Sequence, residues 1–218
     1  MSSLFLRKNL NQVLIEFSIE NLNSYVLKIE EFLEKELEHF NEEFEKKTRG
    51  WEEEEKNEYG EHLSDEYWIL AETHPNFLRS SMFVSIYSFF EKALKDLCEL
   101  SKKGKNNSQL SSSQKISKIA KNLLYLEKCH SINFSKEIKE WEKIDGIYRG
   151  IRNVIAHDGG EIEINRLEEY TSLFEGIPMK INSSTGELLP QAELCLSFLR
   201  DITKFFNKFF ELIDKNNH

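Results

Sequence analysis

Apolar residues recur at every third or fourth position through most of the chain, the period of amphipathic helices. Leu10, Val13, Leu14, Phe17, Leu22, Tyr25, Val26, Ile29, Phe32, Leu33, Leu37, Phe40 and Phe44 form the first such run. They predict one long helix, or two interrupted near Ser18 to Ser24, with a charged opposite face. Glu52-Glu53-Glu54-Glu55 continues that polarity and is expected to close the element. Consecutive helical residues point in four directions, so this run predicts a solvated face rather than a metal site. Gly60 to Pro75 is expected to be a connection, with His62 and His74 on the surface. From Asn76 a second helix is expected, burying Leu78, Met82, Phe83, Ile86, Phe89, Phe90, Leu94 and Leu97. Ser85, Tyr87, Ser88 and Glu91 are polar residues set into that stripe.

Gly104 to Ser113 reads as a loop. Ser111, Ser112 or Ser113 is expected to cap a third helix with Ile116, Ile119, Ala120, Leu123, Leu124 and Leu126 apolar. Cys129 to Phe134 is a second connection, and Ser135 is expected to cap a helix running through Trp141 to His157. Arg166 to Phe174 predicts a short helix. Ile177 to Asn182 and Glu187 to Leu189 flank the turn-rich Asn182 to Gly186, which predicts a small β-hairpin. Pro190 is expected to open a last helix, with Cys195, Phe198, Leu199, Ile202, Phe205, Phe206, Phe209, Phe210 and Ile213 as a core stripe or a dimer seam.

Composition supports a mostly helical chain. It has 218 residues, with only 3 Pro and 9 Gly against 16 Phe. No apolar run is long enough to span a membrane, and Met1 to Arg7 is too short for a signal-peptide core, so neither a membrane span nor a secretory leader is expected. Cys98, Cys129 and Cys195 are odd in number and show no zinc spacing. A cytoplasmic chain without a structural disulfide or cofactor is expected. The net charge of −9 is uneven: residues 1–100 hold 22 acids and 11 bases, residues 101–218 hold 16 and 18. No acid lies between Ser101 and Tyr125, where Lys102, Lys103, Lys105, Lys115, Lys118 and Lys121 supply positive charge. This strip is either an RNA-phosphate contact or a solvated face.

The chemistry concentrates at Ile147 to Gly160. On a helical wheel Ile144, Ile147, Tyr148, Ile151, Val154 and Ile155 share one apolar face. Arg149, Arg152, Asn153, Ala156 and His157 fall on the other. Asn153 and His157 point the same way, whereas Arg152 and His157 are splayed by roughly 140°. Small Gly146, Gly150 and Ala156 would let another helix approach. Gly159 and Gly160 are expected to stop the helix in left-handed conformations. Histidine exchanges protons near neutrality and arginine grips phosphate with a planar fork. A histidine in a last turn also serves simply as a helix cap and dipole partner. Glu91 needs a cationic partner if buried, for which Arg149 or Arg152 would serve, or else it faces water.

Arg152-Asn153-Val154-Ile155-Ala156-His157 resembles the signature of the HEPN superfamily: an arginine, four to six residues, then a histidine at the end of a core helix. The polar residue after the arginine and the earlier helix Ser85-Ile86-Tyr87-Ser88-Phe89-Phe90-Glu91-Lys92-Ala93-Leu94 are also typical. The resemblance covers roughly residues 76–160. It implies an all-α, HEPN-like bundle over 1–218. Residues 1–60 would form a long N-terminal helical segment, 76–160 the core with the motif, and 161–218 the hairpin and last helix. It further implies a metal-independent endoribonuclease acting as a homodimer with a composite site. His157 would move the 2′-hydroxyl or leaving-group proton, Arg152 would hold the scissile phosphate, and Asn153 would orient one of them. Glu91 and Arg149 would support. Such proteins often act as toxins or in phage defence, with a neutralising antitoxin or defence partner. One branch carries a tyrosine two residues after the histidine as the target of a modifying antitoxin; here that position is Gly159, which argues against that pairing. Other members are inactive and bind RNA, nucleotides or a protein.

Overall fold

The computed structural model describes residues 3–102 and 116–216, with side chains at 10–101 and 116–216. The first apolar run forms one unbroken helix, α1 (Ser3–Lys47), of 45 residues. The break considered near Ser18 does not occur. The Ser18 hydroxyl donates to the Leu14 carbonyl at 2.8 Å, so its competing polar group is absorbed inside the helix. One face of α1 buries Ile15, Ile19, Val26 and Leu33. The opposite face leaves Leu10, Val13, Leu14 and Phe17 more than half exposed.

The four-glutamate run opens a helix rather than closing one. Glu52 precedes α2 (Glu53–His62), and its backbone N–H donates to Glu55 Oε2 at 3.4 Å. Carboxylates in a first turn face the positive end of the helix dipole, which is why the run belongs there. Tyr59 stacks on Phe44 with ring centres 5.9 Å apart, folding α2 back along the end of α1. The expected connection from Gly60 to Pro75 is also helical: α3 (Ser64–Trp68), a π turn at Ile69–Thr73, then α4 (His74–Lys102). Pro75 has no N–H to donate to the preceding turn. The widened turn accommodates the proline without ending the helix. His62 and His74 are exposed.

Next come α5 (Lys118–His130), α6 (Phe134–Glu137), α7 (Glu140–Lys143), a second π turn at Ile144–Tyr148 and α8 (Arg149–His157). Ser117, not Ser111 to Ser113, caps α5 by accepting from Ala120 N–H at 3.0 Å; the three earlier serines lie outside the described residues. Asn133, not Ser135, caps α6, and extended backbone at Ile138 breaks the expected continuous helix into α6 and α7. A 3-10 turn at Ile164–Arg166 leads into α9 (Leu167–Leu173). The hairpin forms as expected, β1 (Met179–Ile181) antiparallel to β2 (Leu188–Pro190), with Asn182 Oδ1 accepting from Ser184 and Thr185 N–H groups in the turn. Pro190 ends β2 opposite Met179, and α10 starts later, as Glu193–Lys215. A short strand edge tolerates the missing N–H as readily as a helix start.

The core is centred on α4 and α10. All nine residues expected in the α10 stripe are buried. Phe83 meets Phe198 with ring centres 5.1 Å apart, and Phe90 meets Phe205 at 5.2 Å. Each buried phenylalanine contributes about 1.5–3 kcal/mol relative to exposure, so this stripe is core rather than a seam for a second chain. Two polar clamps fix the surrounding helices. Arg79 on α4 grips both oxygens of Glu30 on α1, at 2.7 to 3.2 Å, and also donates to the Pro190 carbonyl at 3.3 Å. Buried Asp201 on α10 accepts from Lys143 Nζ and from the Tyr148 hydroxyl, each at 2.7 Å. No helix among the described residues is long and apolar enough to cross a membrane. Cys98, Cys129 and Cys195 form no disulfide with one another.

Candidate functional site

The site is built on α8. Ile151 and Val154 are buried against α4, which turns Arg152 and Asn153 to the half-buried edge and leaves His157 exposed in the last turn. Gly159 and Gly160 have φ of 66° and 86° and end the helix as expected. The Asp158 and Gly160 N–H groups both donate to the Val154 carbonyl at 3.0 Å, which fixes the chain immediately past His157.

Arg152 joins the three motif residues. Its Nη1 donates to Asn153 Oδ1 at 3.0 Å and lies 3.1 Å from His157 Nε2. The wheel separates Arg152 and His157, but the arginine stem is long enough to cross that angle. Arginine only donates, so this contact is a hydrogen bond in the tautomer that leaves Nε2 as the acceptor. The arginine Cζ lies 5.6 Å from the centre of the Tyr87 ring, within cation–π range. Its Nε is buried and has no hydrogen-bond partner.

Tyr87 comes from α4 and is 3% exposed. The sequence sets it as a polar residue into the buried stripe of α4, and it is buried there beside α8. Burial pushes its hydroxyl well above the usual tyrosine range, and the Asp145 carboxylate adds to the rise. It remains protonated at neutral pH and offers a ring face to Arg152. The i, i+4 pair Asp145 and Arg149 was the one signal in the sequence for the next part of the site.

The second π turn arranges that pair. It diverts the Arg149 N–H to the Ile144 carbonyl, so the Asp145 carbonyl loses its usual α-helical donor. Arg149 Nε takes that place at 2.6 Å and also meets Asp145 Oδ1 at 3.1 Å. The same carboxylate oxygen accepts from Ser117 Oγ at 2.7 Å, tying the start of α5 to the site. Glu91 is three-quarters buried, and its partner is Lys118 at 3.4 Å rather than Arg149 or Arg152. The arginines are committed elsewhere, Arg149 to Asp145 and Arg152 to Asn153 and His157, and Lys118 lies at the start of α5 beside α4.

The basic strip is only partly visible. Lys118 and Lys121 are exposed on α5. Lys103, Lys105 and Lys115 lie outside the described residues, as does the Lys102 side chain. Among the small residues, Gly146 has open space and Ala156 is exposed. Gly150 instead faces its own chain: a Cβ there would lie 3.6 Å from Leu173 and 3.8 Å from Phe174, so that position is already packed. No group of three or more His, Cys, Asp or Glu side chains among the described residues is placed to hold a metal ion. No family model, curated protein or solved structure matches the chain.

Proposed function

We propose that the chain is a metal-independent endoribonuclease that works as a homodimer, with Arg152, Asn153 and His157 of two protomers forming one composite site. The observation that carries this reading is the 3.1 Å contact between Arg152 Nη1 and His157 Nε2. A guanidinium fork beside an imidazole nitrogen supports a phosphate-binding group next to a proton acceptor. When a phosphodiester arrives, the guanidinium turns to its non-bridging oxygens and frees Nε2. That nitrogen takes the 2′-hydroxyl proton as the 2′-oxygen bonds to phosphorus. The bond from phosphorus to the 5′-oxygen breaks, and the leaving oxygen takes a proton from the second protomer's imidazole, which enters the step protonated and released from its own Arg152. The products end in a 2′,3′-cyclic phosphate and a 5′-hydroxyl. Asn153 and Tyr87 hold Arg152 in place, Arg149 and Glu91 support the surrounding network, and the lysine strip follows the RNA backbone. A cytoplasmic toxin or phage-defence effector, held in check by a protein partner, fits this chemistry.

The test uses chelator-treated protein and a labelled RNA. Cleavage with cyclic-phosphate ends is expected. His157→Ala should lose about 10²–10⁴ in rate while the fold and dimer persist. Arg152→Ala should fall with it, and Arg152→Lys should recover little because a point charge does not replace a fork. Wild-type cleavage by both alanine variants would make the motif structural. The second reading is an inactive helical module that binds RNA, nucleotide or protein. The exposed Leu10, Val13, Leu14 and Phe17 favour it, since such a face suits a partner.

A further inference from the structure

A cavity of about 430 Å³ lies beside the end of α8, between the start of α4 and the hairpin. Gly159 and Gly160, two and three residues past His157, line one side of it. Trp68 and Phe77 line another and are 62% and 74% exposed. Two large aromatic rings left open to water beside a cavity offer flat apolar faces on which a nucleobase can stack.

The polar groups select what would enter. Glu72 and Glu187 both line the cavity. Asn76 Nδ2 donates to Glu187 Oε1 at 2.6 Å, bridging α4 to the hairpin and fixing the carboxylate. Two carboxylates repel a phosphate but accept N–H groups. Guanine presents N1–H and N2–H side by side and can give both to one carboxylate. Uracil offers a single N–H, and inosine lacks the exocyclic amine.

We infer that this cavity is a nucleobase subsite, best suited to guanine, for the nucleotide adjoining the phosphate held at Arg152 and His157. The inference rests on the ribonuclease reading for its substrate class. Trp68 and Phe77 supply stacking, Glu187 reads the base edge, and Asn76 holds Glu187 in position.

The full chain is titrated with guanosine, inosine and uridine 3′-monophosphates while tryptophan fluorescence is followed, and Trp68→Phe identifies the Trp68 part of the signal. The same protein is given oligouridine carrying one guanosine or one inosine. Guanosine monophosphate should quench Trp68 and bind about ten- to a hundredfold tighter than the other two. Cleavage should fall next to the guanosine. Glu187→Gln should remove the preference for guanosine over inosine, and Phe77→Ala should weaken all three nucleotides. Cleavage without base preference, together with no quenching, overturns the subsite and leaves the nuclease reading standing. Guanosine-selective quenching with no cleavage of any RNA supports the subsite and removes the nuclease reading. If Trp68→Ala and Phe77→Ala turn a dimer into a monomer in light scattering and leave nucleotide binding unchanged, the rings are an interface between copies and the subsite is overturned.

Discussion

Individual residues divide by whether local spacing or tertiary packing decides their role. Arg152, Asn153 and His157 were legible because they lie within one helical turn and a half. Their mutual contact was not, because a wheel places Cβ atoms and says nothing of a side chain that reaches across the face. Tyr87 was legible as a polar residue within the α4 stripe, but its contact with Arg152 was not, since that depends on a helix 60 residues later in the chain. Titration gives these buried groups a measurable consequence. Burial raises the Tyr87 and Tyr148 hydroxyls. For Lys143, burial alone would lower the ammonium, but hydrogen bonds to Asp201 and Tyr148 outweigh it and leave it raised. A group raised in the folded state contributes stability that is complete below its unfolded pKa and lost as pH climbs through the folded value. The three together should make the protein lose stability above about pH 10. Urea midpoints between pH 8 and about 11.5 check this, and Tyr148→Phe should flatten the decline. A wild-type midpoint that stays level across that range would show that these groups do not titrate with folding.

Elements were read well where one face stays apolar for many turns. All of α10 follows its stripe residue by residue, and α4 follows its own except at Leu78 and Phe89, which are half-buried. Boundaries were read poorly where two structures satisfy the same residue. Pro190 suits a strand end as well as a helix start, and Glu52 to Glu55 suits a first turn as well as a solvated face. The π turns left no sequence mark beyond Pro75 after the first and Gly146 within the second. The hairpin was visible from its turn residues, but its attachment was not. Ile162 N–H donates to the Gly186 carbonyl at 2.9 Å, and Leu188 N–H donates to the Gly160 carbonyl at 2.8 Å, so the hairpin is stitched to the chain leaving α8. Gly186 has φ of 80°, and a Cβ there would lie 2.0 Å from the Ile162 carbonyl oxygen. Gly186→Ala therefore meets a backbone clash as well as backbone strain, and should cost at least about 3 kcal/mol. Gly176→Ala, with φ of 73° and nothing within 4 Å, is the control and should cost about 1–2 kcal/mol. Thermal or urea unfolding of the two variants separates clash from strain; equal losses would show that the hairpin moves aside freely.

For the molecule as a whole, composition indicated helices, and the uneven charge placed acids early and bases late. It did not reveal that α1 would be apolar on two opposite faces, because a 3–4 period describes a broad stripe and a double one alike. A dimer through α8 should appear in light scattering at micromolar concentration, and Ala156→Glu should disperse it, because a new carboxylate would sit on the exposed side of that helix beside its counterpart. A monomeric wild type would overturn the composite site. The length of α1 has a separate consequence. At about 1.5 Å per residue it extends roughly 67 Å. A compact chain of this size has a radius of gyration near 17 Å, or a diameter of about 44 Å if spherical. One helix thus outruns the body that it braces. The protomer should scatter X-rays as a prolate particle, with a radius of gyration above that value. It should also tumble at two rates in solution, quickly about the axis of α1 and slowly end over end.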